Sequence, residues 1–565
     1  MRNKSLIHAY RTLDADIARF DDMVNNGGES GTDLFIPRLG AQPQVEGRLK
    51  ALVARCTELP APDGAFALVQ AHMHDFLQAL GAKLRDKFTR PAASIRGFMW
   101  WYENLCNPDK DSRPEDIRSE KAIARLGHSQ AMFDAISQWL DTVSADNLLE
   151  AQAVYKNYSA TFTDYAQKVA QHFSGITPIR QAELGARLQA FADQCRVMQG
   201  QLEALLETAD ISSDTSDDSI LKVDPQVYAD RLLNEHGVIL QELLDWHEAE
   251  IDKTRAAVFA IAQKLDISDP KGTMGQVNAI LLKYAGPADT PEEMMARGRS
   301  YIQRTQAAAK DYVRLPDEDC RVTTVPEVIK DSYPWGGYGG GCSRRRPLLG
   351  NMFLNNYNYK AVTDGWIKMN TVHEAYPGHH VQFVRTTLDP IPETLKRGAK
   401  HTPITEGTPH RSEELFEFVF AEDPFYPLFV AYRRHHTAVR IKADLMLRYF
   451  GRPIRDVVQL YMDEMDFDRD TARGQVRAQE NMLGYFTTYY YGYKKLAQWE
   501  REYGIDPKTY TELLFSAGRM SLENFKQFLD LSDEERRSFL HDFASLIQFD
   551  EDYNEKPIQI NWEGR

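Results

Sequence analysis

The stretch Thr371–Val381, TVHEAYPGHHV, gathers His373, Glu374, His379 and His380 into eight residues, with Pro377 and Gly378 between the two histidine groups. Imidazoles at this density beside a carboxylate point to hydrolytic metal chemistry. Neutral imidazoles hold a zinc ion, and a neighbouring carboxylate takes a proton from the water that the ion activates. The compact form of such a site is H-E-x-x-H, with both histidines on one helix face and the glutamate acting as base. Here Pro377 stands at i+4, and the next histidines fall at i+6 and i+7.

On an unbroken helix, positions i and i+7 share a face but lie ~10 Å apart along the axis, too far for one ion. Tyr376-Pro377 cannot sit inside an undistorted helix, because proline lacks the N–H and its ring clashes with the preceding turn. A two-residue bulge there brings His379 to the second ligand position. It turns His380 roughly 100° away, into a supporting or substrate contact. A larger break would hand the ligand role to His380 instead. The competing interpretation is a helix N-terminus carrying surface histidines.

HEAYPGHHVQ resembles the H-E-x-x-P-G-H-H signature of the bacterial family called domain of unknown function 885, and the resemblance extends from about Asp224 to Leu540. It implies a gluzincin-type zinc metallopeptidase, related in architecture to the carboxypeptidase Taq and thimet oligopeptidase groups. Where the family carries a Glu-Gly pair this chain has Glu406-Gly407, which makes Glu406 the implied third ligand. The family pattern then continues as E-G-W-A-L-Y-x-E, whereas this chain reads EGTPHRSEE. Pro409 suggests a helix beginning there with Thr408 as its cap, leaving Glu406 to ligate from a loop; Glu413 and Glu414 are the alternatives. Asp444 is kept from a second family pattern, but Arg448 replaces its histidine. In MLGYFTTYYYGYKKL, Tyr489 matches a family tyrosine, with Leu483 and Tyr485 at its Pro and Gln positions. Tyr489 is thus an implied oxyanion donor; aromatic core packing is the alternative. An edge strand that pairs with the substrate backbone is also implied by the resemblance.

The surrounding elements are mostly helical. Apolar residues recur at three- and four-residue spacing in Arg48–Cys56, Ala65–Leu84, Ala151–His172 and Pro178–Glu207, and Asp224–Leu265 is a further helical block. Within that block, Trp246-His247-Glu248 has no second histidine at ligand spacing and belongs on a helix surface. Thr290-Pro291-Glu292-Glu293 caps a helix reaching about Val313. Short strands are expected at Arg321–Val325 and Met352–Leu354, with the glycine run of Trp335–Gly341 as a mobile loop or turn between them. The acidic, serine-rich TADISSDTSDDS reads as a solvated loop. Helices follow at Glu413–Phe420, Ala438–Tyr449, Ile454–Met465 and Val476–Tyr503. Tyr432–His436, YRRHH, reads as a solvated basic helix.

Net charge is −15, from 67 basic and 82 acidic residues, which argues against nucleic acid as a partner. The five cysteines (Cys56, Cys106, Cys195, Cys320, Cys342) are scattered and odd in number, as expected of reduced thiols in the cytoplasm. MRNKSLIHAYRTLDAD has no long apolar region, so neither a signal peptide nor a membrane span is expected.

The expected fold is mainly α, with two helical lobes flanking a channel and a small β-sheet beside the active helix. An N-terminal helical lobe would occupy 1–315 and the catalytic region 316–565. The expected function is zinc-dependent hydrolysis of short peptides. His373, His379 and Glu406 would hold the ion, Glu374 would act as base, and Arg344–Arg346 or Arg433–Arg434 would hold a terminal carboxylate. A metal hydrolase of a non-peptide amide or ester, and a non-catalytic binding protein that retains metal, are the alternatives.

Overall fold

Side chains at helical spacing generate the observed helices, and short polar residues start them. Asp63 accepts from the N–H groups of Ala65 and Phe66 to begin helix Gly64–Thr89, and Thr177 caps Pro178–Leu206. A computed structural model describes residues 4–26, 34–208, 224–327, 330 and 333–547. The chain is mainly α with one small sheet, as expected. Most of the serine-rich TADISSDTSDDS segment lies outside the described residues. Among the described residues no helix is long and apolar enough to cross a membrane.

Three large apolar cores organise the helices. One lies within the N-terminal region, around Phe98, Tyr155, Phe162 and Phe191. A second joins the first helices to the last, bringing Tyr10 and Phe66 together with Phe525 and Phe539. Asp14 ties this core down by accepting from the backbone of Glu393 and Thr394. The third packs helices Met274–Tyr284 and Pro291–Ala309 against the sheet and the histidine segment.

The sheet has strand order β1-β3-β2, with β1 Glu318–Thr324, β2 Gly336–Gly340 and β3 Leu348–Leu354. β1 runs parallel to β3 with Glu318 opposite Leu348, and β2 runs antiparallel with Gly336 opposite Leu354. The glycine run is therefore a strand and not the expected loop. Glycine has little strand preference of its own, but close neighbours demand it here. The aromatic rings of Phe353 and Tyr333 press on Gly337, and Lys110 donates to the Gly340 carbonyl.

Two other expectations change. His247 is buried and faces its own helix, with Nδ1 2.8 Å from the Leu243 carbonyl. Tyr432–His436 lies on helix Tyr426–Asp444, which is buried along most of its length: His435 meets Thr254, and Arg434 pairs with Glu414 and covers the Tyr493 ring.

Helix Thr402–Leu415 crosses helix Thr488–Tyr503 at a glycine pair. A Cβ on Gly407 would lie 2.5 Å from the carbonyl carbon of Gly492, and one on Gly492 would lie 1.9 Å from the Pro403 carbonyl oxygen. This crossing sets the distance between Glu406 and the tyrosines opposite. Gly407→Ala is expected to cost about 1–3 kcal/mol through overpacking. It should lower the thermal midpoint and reduce divalent-metal retention together, as read by calorimetry and elemental analysis. A variant with wild-type values for both would mean that the crossing is loose.

Candidate metal centre

Helix Asp364–Asn370, capped by the Thr363 hydroxyl, runs into a π-helical turn over Thr371–Ala375 that carries His373 and Glu374. The N–H of Tyr376 donates to the Thr371 carbonyl at 3.0 Å, after which Tyr376 turns extended. A new helix, His379–Leu388, begins after Gly378. Gly378 folds back so closely that a Cβ would lie 1.9 Å from the His373 carbonyl oxygen. The interruption is thus larger than the expected bulge, and the two histidine groups occupy separate helical segments.

It is still His379 that faces the other candidate ligands. Its Nε2 lies 3.4 Å from Glu406 Oε2, and His373 Nε2 lies 3.5 Å from the same oxygen. The His373 and His379 rings stand nearly perpendicular, 4.9 Å apart. His380 points elsewhere. It is fully buried, with Nε2 2.6 Å from Glu318 on β1 and Nδ1 3.0 Å from the Tyr338 hydroxyl on β2. These bonds tie the new helix to the sheet and turn His380 away from the trio formed by His373, His379 and Glu406.

Glu406 does not ligate from a loop. Helix Thr402–Leu415 starts before it, with Pro403 in the first turn, and continues through Pro409. In a regular helix the N–H at 409 would bond the carbonyl of Thr405. Proline leaves that carbonyl open, and Gln382 Nε2 donates to it at 3.0 Å. Gln382 Oε1 then accepts from His379 Nδ1 at 2.9 Å. That assigns a hydrogen to Nδ1 and leaves Nε2 as the atom that faces Glu406. Pro409 thereby supplies the acceptor that orients a candidate ligand.

His373 is oriented in the same way. Its Nδ1 donates to Glu413 Oε1 at 2.7 Å, and His410 Nδ1 donates to Glu413 Oε2 at 2.9 Å. His410 Nε2 meets the Thr437 hydroxyl at 2.9 Å, so this neighbouring histidine–glutamate group has its polar atoms satisfied and serves as a brace. Burial alone would raise Glu413, but His410 and His373 overcome it and hold the carboxylate below its ordinary range. Glu414, the other alternative ligand, is more than half exposed and pairs with Arg434.

Three ligand atoms therefore converge: His373 Nε2, His379 Nε2 and Glu406 Oε2. Metal–ligand distances of 2.0–2.2 Å in a tetrahedron put ligand atoms ~3.3 Å apart, close to the observed 3.4 and 3.5 Å. Glu406 Oε2 is buried without a hydrogen-bond partner, while its Oε1 accepts from the Tyr485 hydroxyl at 2.6 Å. Burial opposes ionisation of Glu406, yet His379 and His373 hold it well below the usual carboxylate range. Burial likewise opposes charging of His373, but Glu406 and Glu413 raise it to about 10. The pocket thus favours positive charge at this point, and these residues fit a divalent ion.

Glu374 sits beside the trio, its carboxylate 4.0 Å from His379 Nε2. Burial raises its pKa, against the pull of His379 and His373. Tyr489 stacks on His373 at 6.0 Å and 14°, and its hydroxyl lies 3.2 Å from that of Tyr485. The structure thus brings together His373, Glu374, His379, Glu406 and Tyr489. Tyr485 and Gln382 join them without having been singled out in the sequence. The i, i+4 spacing of Tyr485 and Tyr489 was the available signal for the former.

Protein purified without chelator or tag metal should contain one zinc per chain by elemental analysis. His379→Ala should abolish retention, whereas His380→Ala should keep the ion and lose thermal stability. A metal content near zero, not restored by zinc, cobalt or manganese, removes the metal centre. Gln382→Leu takes away the group that orients His379 and should weaken zinc affinity about 10–100-fold in competition with a chromophoric chelator. Unchanged affinity would show that the ring needs no such support.

A family model described as "Bacterial protein of unknown function (DUF885)" matches residues 41–527. No curated protein matches the chain. Among solved structures, the crystal structure of a "putative lipoprotein" from Colwellia psychrerythraea is similar, with a TM-score of 0.71 at 15% identity, covering 93% of this chain and 99% of that one. A "putative lipoprotein of unknown function" from Shewanella oneidensis aligns with a TM-score of 0.69 at 15% identity, over 94% and 100% of the two chains. These two likenesses concern the fold. With the family match spanning most of its length, the chain belongs to the DUF885 family of bacterial proteins of unknown function.

Proposed function

We propose that the chain is a zinc-dependent peptidase acting on short peptides, of the carboxypeptidase or oligopeptidase type. The observation that carries this is the unpartnered, buried Glu406 Oε2 facing two imidazole nitrogens at tetrahedral spacing, with Glu374 alongside. A gluzincin-like ancestry agrees with the order of these residues along the chain. For the compartment we propose the cytoplasm, on the strength of five unpaired cysteines, although both structural neighbours carry the word lipoprotein in their descriptions.

Zinc held by His373, His379 and Glu406 would supply Lewis acidity, polarising a carbonyl and making water a better nucleophile. The chain's own groups do the rest. Glu374 takes a proton from the attacking water, and its raised pKa brings it nearer the working range of a general base. The same carboxyl then delivers that proton to the leaving amine, so water and a peptide bond become a carboxylic acid and an amine. The Tyr489 hydroxyl donates to the carbonyl oxygen as negative charge develops there. Tyr485 spends its hydrogen on Glu406 and holds that carboxylate so that its other oxygen faces the histidines.

Glu374→Gln preserves shape and removes the base. It should retain the metal and lose about 10²–10⁴-fold in turnover, measured on a mixed short-peptide substrate by mass spectrometry. Full activity would mean that another residue takes the proton. Hydrolysis of simple esters or non-peptide amides with no peptide cleaved would redirect the substrate class.

A further inference from the structure

Helix Tyr426–Asp444 carries two guanidinium groups to the edge of this site. Arg433 and Arg440, two turns apart, both lie against the Tyr489 ring, with their guanidinium carbons 5.7 and 5.8 Å from its centroid. This is the ring that stacks on His373 at 6.0 Å. Arg440 also covers Phe486 at 4.8 Å.

Neither charge is neutralised at close range. Arg440 is only 6% exposed, and it donates to an uncharged group, Gln475 Oε1 at 3.1 Å. Arg433 has a buried Nε without a hydrogen-bond partner. Among the described residues no carboxylate lies within ion-pairing distance of either group. Burial, followed by the repulsion of Arg433, brings the Arg440 pKa down to about 10. His436 beside them is buried with an unpartnered Nε2, and burial, Arg440 and Arg433 keep it neutral. Their neighbour Arg434, by contrast, is committed to Glu414 and Tyr493. Glu374 feels the charge of Arg433 without pairing to it. Desolvated guanidiniums are costly unless an anion meets them, and their fork geometry suits a carboxylate.

We propose that Arg433 and Arg440 form the subsite for the terminal α-carboxylate of a peptide, so that cleavage falls one or two residues from the C-terminus. The inference rests on the peptidase reading and adds its substrate class. The reach is short, because both guanidinium carbons and the His373 ring lie within 6.0 Å of the Tyr489 ring centre, and an extended peptide advances ~3.5 Å per residue.

The test uses a randomised hexapeptide library made twice, as free acids and as C-terminal amides, digested by the zinc-loaded protein. The acids should lose one or two C-terminal residues about 10–100-fold faster than the amides, the range expected for a charge-assisted hydrogen bond. In Arg433→Met that ratio should fall towards one. Arg433→Lys, which keeps the charge without the fork, should retain part of it, and Arg440→Lys should also reduce it. Equal rates for acids and amides would overturn the subsite and leave the peptidase standing. If neither library is cut, the peptidase reading fails, and retention of acids against amides on the same protein decides the subsite. Equal retention overturns it there too. A ratio that survives in a folded Arg433→Met protein overturns the assignment to Arg433.

Discussion

The site depends on a carboxylate oxygen, Glu406 Oε2, held inside the protein with no hydrogen bond of its own. Leaving such an atom unpaired is expensive, so its surroundings have to fix it there. Tyr485 satisfies the other oxygen, and the Gly407–Gly492 crossing brings the two helices close enough for that bond. Two imidazole nitrogens face the free oxygen from separate helical segments. A cation relieves all three groups at once, which is why the packing around them is intelligible as the frame of a binding site.

The frame extends one layer outward on each side. Glu413 aligns His373 and is itself shared with His410, while Gln382 aligns His379 by borrowing the Thr405 carbonyl. Helix Thr402–Leu415 supplies parts of both arrangements, so one helix carries a candidate ligand, a brace and an acceptor. The sheet enters through His380, whose bonds to Glu318 and Tyr338 keep the helix that follows the break in place. Adjacent histidines thus serve different ends because consecutive helical positions diverge by ~100°.

The local grouping of His373, Glu374 and His379 was legible in the sequence, and long-range compensation was not. His373, Glu374 and His379 could be read because their types and the proline between them constrain the backbone. The helical segments could be read because burial of one face leaves a period in the sequence. Pro409 argued for a helix start at that point, and nothing near it shows that Gln382, on another element, takes up the freed carbonyl. The glycines of β2 carry no strand preference, and their pairing follows from how closely Phe353 and Tyr333 approach. The charges of Tyr432–His436 suggested solvent, whereas Thr254, Glu414 and Tyr493, far away in the chain, cover them. In each case the deciding partner lies outside the window that a periodicity can sample.

Charge balance links the two halves of the site. Glu374, Glu406 and Glu413 place three carboxylates around the histidines, which are neutral when they act as ligands. A divalent cation would leave this group with one negative charge in excess. Arg433 and Arg440 more than make up that difference, leaving one positive charge beside the Tyr489 and Phe486 rings. A single carboxylate then completes neutrality, and a neutral ligand of the same shape does not. Because burial weakens screening, a difference of one charge discriminates more strongly here than it would on the surface. Discrimination between an acid and its amide is therefore what the proposed subsite would produce from this distribution of charge.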